Sequence, residues 1–196
     1  VDNTQKIRNL FPVAKVLEGC IYLVSKLVSP GIIKQSGNFY SMHFGGGNVS
    51  PEQLIILHSL FIDAGINAVN EDNITKRVWT KFAFVSHIAT YTSVYDISIG
   101  RILVSPAHSA ALRQLMNEVI LLAKEMGVEV GAANIEANFE IMTKLPFETT
   151  SSMQIDFANG HQTEVDTFTG YVIREGRNHN LALDKYEALL QQLTLK

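Results

Sequence analysis

Three side chains in this sequence have types suited to gripping and protonating a polarised oxygen: Lys81, Ser152 and Glu164. Two of them fall in one stretch, SSMQIDFANGHQTEVDTFTGYVI (residues 151–173), where a hydroxyl pair precedes a Thr-Glu-Val-Asp step that opens an apolar-periodic helix. Helix starts attract acids for electrostatic reasons alone, so Glu164 and Asp166 have to be separated by geometry. Val165, Phe168 and Val172 define the apolar face, with Glu164 roughly 75° from its centre and Asp166 about 125° away. Glu164 is therefore expected at the rim of whatever the helix packs against. Asp166 is expected in solvent, with stabilisation of the helix dipole as its main role. Ser152 ends a Thr-Thr-Ser-Ser run. It reads either as the N-cap of a short helix through Asp156 or as a hydroxyl offered to a ligand.

Lys81 lies in WTKF (residues 79–82), within a long helical pattern from about Asn73 to Tyr95. With Ile74 at zero, Val78, Phe82, Val85 and Ala89 fall between roughly 20° and 80°, and Lys81 at about −20°. The lysine belongs to the edge of the packed face. One reading is a snorkelling side chain; the sharper one is a partly desolvated ammonium poised for proton transfer. A lysine, a glutamate and a serine together can bind and protonate an oxygen, but their spacing does not show that they meet.

The elements that must position them divide into two zones. Residues 1–47 hold a short helical start and then β-rich text, VLEGCIYLV, GIIKQS and NFYSMHFG. These runs are punctuated at Ser29-Pro30-Gly31, Ser36-Gly37-Asn38 and Gly45-Gly46-Gly47. Alone this zone is too small for a core and reads as the tail of a larger sheet. Behind it the signals are helical. Ser50-Pro51-Glu52 starts a helix that Gly65 closes, Asn70–Asn73 is a polar break, and Ser105-Pro106 starts a helix that Gly127 ends. Further helices are expected near Ala132–Lys144, from Thr163, and over LDKYEALLQQL. The expected domains are 1–47 and 48–196, with the triple glycine as a flexible turn between them. No Lys-Ser/Thr pair follows those glycines, and no GxGxxG occurs, so the turn is preferred to a phosphate loop.

The chain has 196 residues and a net charge of −3, which argues against nucleic acid or an anionic membrane as main partner. No uncharged apolar run reaches the length of a membrane span, and VDNTQKIRNL has no signal-peptide core. The sequence opens without methionine, so a piece of a longer chain is expected. One cysteine, Cys20, rules out an internal disulfide and fits a reducing cytoplasm; its apolar run predicts a buried, inert thiol. The six histidines show no metal-ligand spacing, and no metal site is expected.

WTKF, SSMQID (151–156) and TEVDTFTGYVI (163–173), in this order and spacing, resemble the C-terminal portion of ketopantoate reductases. VDNTQKI and SPGIIKQSG resemble the end of that family's nucleotide domain. The resemblance covers nearly the whole chain. It implies a mainly α fold, a helical C-terminal domain resembling those of 6-phosphogluconate dehydrogenases, preceded by a β-rich remnant of a Rossmann domain. It also implies reduction of ketopantoate to pantoate with NADPH, on the route to pantothenate and coenzyme A. The cofactor's glycine loop is expected upstream of Val1, the substrate partner is a small 2-keto acid, and the expected assembly is a homodimer. By the same resemblance Lys81 is the general acid to the carbonyl oxygen and Ser152 a substrate-binding hydroxyl. Glu164 is the carboxylate that bonds substrate and helps set the lysine. One departure stands out: the family often carries asparagine four and eight residues after the lysine, where this chain has Val85 and Ala89. Ser86 or Thr90 would compensate only with changed geometry. A sister 2-keto acid reductase of altered specificity, and a non-enzymatic helical interaction module, remain as alternatives.

Overall fold

Serine side chains cap several of the helix starts. In the computed structural model, which describes residues 1–35 and 40–195, the chain forms two compact units, Val1–Trp79 and Thr80–Lys196. The first opens with helix α1 (Asn3–Leu10), strand β1 (Glu18–Tyr22) and a hairpin of β2 (Ser25–Ser29) and β3 (Ile32–Gln35). Then come β4 (Ser41–Gly45), helix α2 (Pro51–Asp63) and β5 (Ala68–Asn70). Ser50 caps α2 with its side chain, in a reciprocal capping box with Gln53. Gly65, just beyond the helix, takes a left-handed φ of +75°, as the sequence predicts. The Ser36-Gly37-Asn38 punctuation lies outside the described residues.

The sheet runs β1-β4-β5, with β4 antiparallel to β1 and parallel to β5. β5 comes from residues 68–70, beyond the Gly47–Asn48 boundary expected from sequence, and it occupies part of the expected polar break. A three-residue strand is too short to show period-two alternation, so nothing in the text announced it. The triple glycine consequently lies inside the first unit and is not a flexible link. A Cβ on Gly47, at φ +77°, would stand 2.2 Å from the Val16 carbonyl oxygen. The turn is glycine because backbone passes over backbone there. Cys20 is half-buried, not sealed as its apolar run predicts, because even the more covered face of β1, which it shares with Glu18 and Tyr22, is only partly buried. His43 on β4 is buried and fully engaged: Nδ1 lies 2.6 Å from Glu71, and Nε2 lies 2.9 Å from Ser41 Oγ and 3.1 Å from Arg77.

The second unit is built of helices. Helix α3 (Ile74–Tyr95) begins in the first unit and carries on into the second. After it come α4 (Ile99–Val104), α5 (Pro106–Glu125), α6 (Ala132–Thr143), α7 (Ser152–Ala158), a π-helical turn (Asp166–Gly170), α8 (Tyr171–Asn178) and α9 (Asp184–Leu193). α5 touches α4, α6, α8 and α9. Its Leu112, Leu115, Met116, Val119 and Leu122 are each at most 1% exposed, and each such burial stabilises by about 1.5–3 kcal/mol. Glu118 of α5 accepts the Lys185 and Tyr186 amides at 2.9 Å, capping the start of α9, which has no side-chain cap of its own. Partial burial raises the Glu118 carboxyl above the usual range, against those two amide bonds.

Candidate functional site

The second half of α3 has no wet face. Every residue from Ser86 to Val94 is buried, although the helical wheel predicts a single apolar stripe. Hydroxyl pairing makes this tolerable for Ser86, Thr90 and Thr92. Ser86 Oγ accepts from the Tyr186 hydroxyl at 3.2 Å, and Thr90 Oγ1 lies 2.8 Å from Thr169 Oγ1. Thr92 Oγ1 lies 2.8 Å from the Ile88 carbonyl oxygen and 2.7 Å from Ser151 Oγ. Ser86 and Thr90, the two candidates for replacing the asparagines, are thus sealed in the core and bonded to other elements.

Lys81 stands about one and a half turns before this buried segment and is half-buried, in keeping with the edge position predicted for it. Its neighbour Phe82 packs edge-on against Tyr171 at 5.5 Å between ring centroids and lies 6.4 Å from Phe168. That contact brings the lysine's turn of α3 against the helix that Glu164 precedes.

Glu164 is exposed, immediately before the helical residues begin at Val165. Its carbonyl oxygen accepts the Thr167 and Phe168 amides at 3.0 Å. The helix expected from Thr163 therefore starts later, and it starts as a π turn. A π turn takes more residues per turn than an α turn, so angles projected at α spacing drift across it. This is why Thr169 and Gly170 are buried while Val165 and Phe168 are only half-buried. Asp166 is exposed as predicted, but it has a partner, Arg174, at 2.5 Å.

Ser152 is exposed at the first position of α7. It is not the N-cap. That role falls to Ser151, whose Oγ accepts the Gln154 amide at 3.1 Å, and the helix runs past Asp156 to Ala158. The cap and the exposed hydroxyl are adjacent serines with separate jobs. Gln154 adds a further tie, its Nε2 donating to Asp96 Oδ1 at 2.9 Å. The segments bearing Ser152 and leading on from Glu164 thus both contact α3, the helix that carries Lys81. Sequence reasoning missed Thr92, Ser151 and Thr169. Their signal was the hydroxyl-rich text SHIATYTS, residues 86–93, which is improbable for a helix with a purely apolar buried face. Among the described residues, no group of three His, Cys, Asp or Glu side chains is placed to hold a metal ion. None of the described helices is long and apolar enough to cross a membrane.

The second unit thus holds a buried central helix, with an exposed serine and an exposed glutamate on segments that contact it. The chain belongs to the ketopantoate reductase PanE/ApbA C-terminal family, which matches residues 73–196. It is 26% identical over 186 residues to the uncharacterised oxidoreductase YkpB of Bacillus subtilis, covering 94% of this chain and 61% of that protein. The fold matches a PanE/ApbA family ketopantoate reductase from Ralstonia eutropha with a TM-score of 0.88 at 21% identity, over 99% of this chain and 63% of the other. It matches a D-mandelate dehydrogenase, solved with NADH and anilino(oxo)acetate, equally well. There the TM-score is 0.88 at 18% identity, over 100% of this chain and 64% of the other. The chain therefore spans less than two thirds of the length of each.

Proposed function

We propose that this chain carries the substrate-binding and proton-donating side of an NADPH-dependent reductase that converts ketopantoate to pantoate. The observation that supports this most is the position of three residue types within the family match. Lys81, Ser152 and Glu164 all fall in residues 73–196, on elements that α3 ties together through Phe82 and Thr92. In this reading Ser152 bonds the bound 2-keto acid, and Glu164 bonds it from a second segment. As the ketone oxygen gains charge during reduction, the Lys81 ammonium stabilises it and passes a proton to it. A reduced nicotinamide supplies the hydride when bound. This sequence has no glycine-rich phosphate loop, so the cofactor does not fit these residues alone and is assigned to a nucleotide-binding portion beyond them. A homodimer in the cytoplasm belongs to the same proposal.

A second reading, a 2-keto acid reductase of different specificity, is favoured by Val85 and Ala89. Val85 is half-buried one turn from Lys81, Ala89 is buried, and the nearby hydroxyls are already bonded. Steady-state kinetics of the full-length protein with NADPH and a panel of 2-keto acids separates the two. Ketopantoate preferred supports the first; a bulkier apolar keto acid preferred supports the second. In either case Lys81→Met should lower turnover on the order of 10²–10⁴-fold, Glu164→Gln less, and Asp166→Asn least, since Asp166 pairs with Arg174 in solvent. Asp166→Asn as damaging as Lys81→Met, with folding intact, would sink the assignment.

A further inference from the structure

We infer that Thr92 is a positioning residue for the Ser152 hydroxyl, acting through a relay of hydroxyls that fixes the start of α7 on α3. The inference rests on the reading of Ser152 as a substrate-binding group. The direction of the relay follows from counting protons. The Ile88 carbonyl oxygen, 2.8 Å from Thr92 Oγ1, only accepts, so the Thr92 hydroxyl donates to it. Ser151 Oγ, 2.7 Å away, must then donate to Thr92. Ser151 in turn accepts the Gln154 amide. Each hydroxyl gives one hydrogen bond and receives one, and the chain ends on the carbonyl of α3 itself.

Thr92 is fully buried, so water does not replace a partner that is removed. The relay sets Ser151 as the cap, and the cap sets the phase of the first turn, in which Ser152 is the first residue. A second attachment, Gln154 to Asp96, holds the same turn just beyond the end of α3. Asp96 reaches it from a left-handed backbone, φ 52°, at the end of α3. Ser152 lies in sequence between the two attached residues, Ser151 and Gln154. Its position relative to the helix that carries Lys81 is therefore controlled by a group that touches neither substrate nor lysine.

Thr92→Val keeps the shape and removes the acceptor, stranding the Ser151 proton. Thr92→Ser keeps the relay. The test is steady-state kinetics and thermal unfolding of the full-length protein with NADPH and ketopantoate. The variants are Thr92→Val, Thr92→Ser, Ser151→Ala, Ser152→Ala and the Thr92→Val/Ser152→Ala pair. Ser152→Ala is expected to raise the keto acid KM about tenfold. Thr92→Val should raise it several-fold, leave the NADPH KM unchanged, be rescued by Thr92→Ser, and add nothing in the Ser152→Ala background. Should Thr92→Val fold poorly, Ser151→Ala carries the same test, with the same non-additivity. Thr92→Val without effect, beside a damaging Ser152→Ala, overturns the relay and leaves the Ser152 reading standing. A silent Ser152→Ala removes that reading and the inference with it. Equal losses for keto acid and NADPH in parallel with lost stability would show Thr92 to be structural only.

Discussion

His87 is the one histidine held wholly inside the second unit, and its surroundings keep it neutral. Nδ1 donates to the Ala83 carbonyl oxygen one turn back on α3. Nε2 is therefore the bare acceptor, and it has no partner among the described residues. Burial lowers the ring's pKa to about 4, against a smaller opposing effect of the Ala83 bond. Between pH 6.5 and 4 the unfolded chain takes up this proton and the folded chain does not. Stability from this residue is complete above pH 6.5 and is lost as pH falls through that window, by on the order of 3 kcal/mol in all. His87→Asn keeps a donor for Ala83 and cannot titrate. Urea unfolding of the two proteins across pH 4 to 7 should give a flatter curve for the variant, and parallel curves would show that His87 ionises without unfolding. At this scale much was legible: Lys81 at the edge of a packed face and Asp166 in solvent follow from helical angles alone. The division of roles between Ser151 and Ser152 was not. Two adjacent serines satisfy the same capping pattern, and only the bond to Thr92, 59 residues away in sequence, decides between them.

Among the elements, ends announced by caps were legible and those set by distant contacts were not. Ser50-Pro51, Ser105-Pro106, Gly65 and Gly127 mark the ends of α2 and α5 because a side-chain oxygen or a left-handed glycine acts on its own neighbours. The π turn carries no such signal, and α4, although Ser98 caps its start by accepting the Arg101 amide, is too short to show an apolar period. α4 is six residues long and is held by tertiary bonds: the Ile99 amide to Thr149 O at 2.8 Å and the Gly100 amide to Phe147 O at 3.0 Å. Gly100 permits this approach, because a Cβ there would lie 2.4 Å from the Phe147 ring and 2.5 Å from its carbonyl oxygen. Gly100→Ala is thus expected to push residues 147–149 away from α4, at a cost of about 1–3 kcal/mol. The same segment leads directly into Ser151, so the substitution should also raise the keto acid KM in the full-length protein. Chemical denaturation measures the first effect and kinetics the second. An alanine variant of unchanged stability would mean that the strap relaxes freely.

For the molecule as a whole, the two units differ in how well they cover their apolar groups. The second places its large side chains around α5 and α3. The first leaves a hairpin and a helix uncovered: Leu27, Ile32 and Ile33 on β2 and β3 are 68%, 59% and 72% exposed, and Ile55, Ile56 and Leu60 on α2 are 62%, 59% and 58% exposed. α2 buries none of its residues, despite a cap good enough to be read from sequence. A helix of this length draws most of its stability from packing its apolar face, and a hairpin needs a third strand or a helix against it. Apolar surface of this kind marks a contact region or an aggregation hazard. The 196-residue chain by itself is therefore expected to self-associate in a concentration-dependent way. Ile33→Lys with Ile56→Lys should shift it toward monomer with little loss of stability, since neither side chain contributes to a buried core. Sedimentation velocity over a range of concentrations reads this directly. A wild-type chain that stays monomeric at high concentration would show that these faces are tolerated in water.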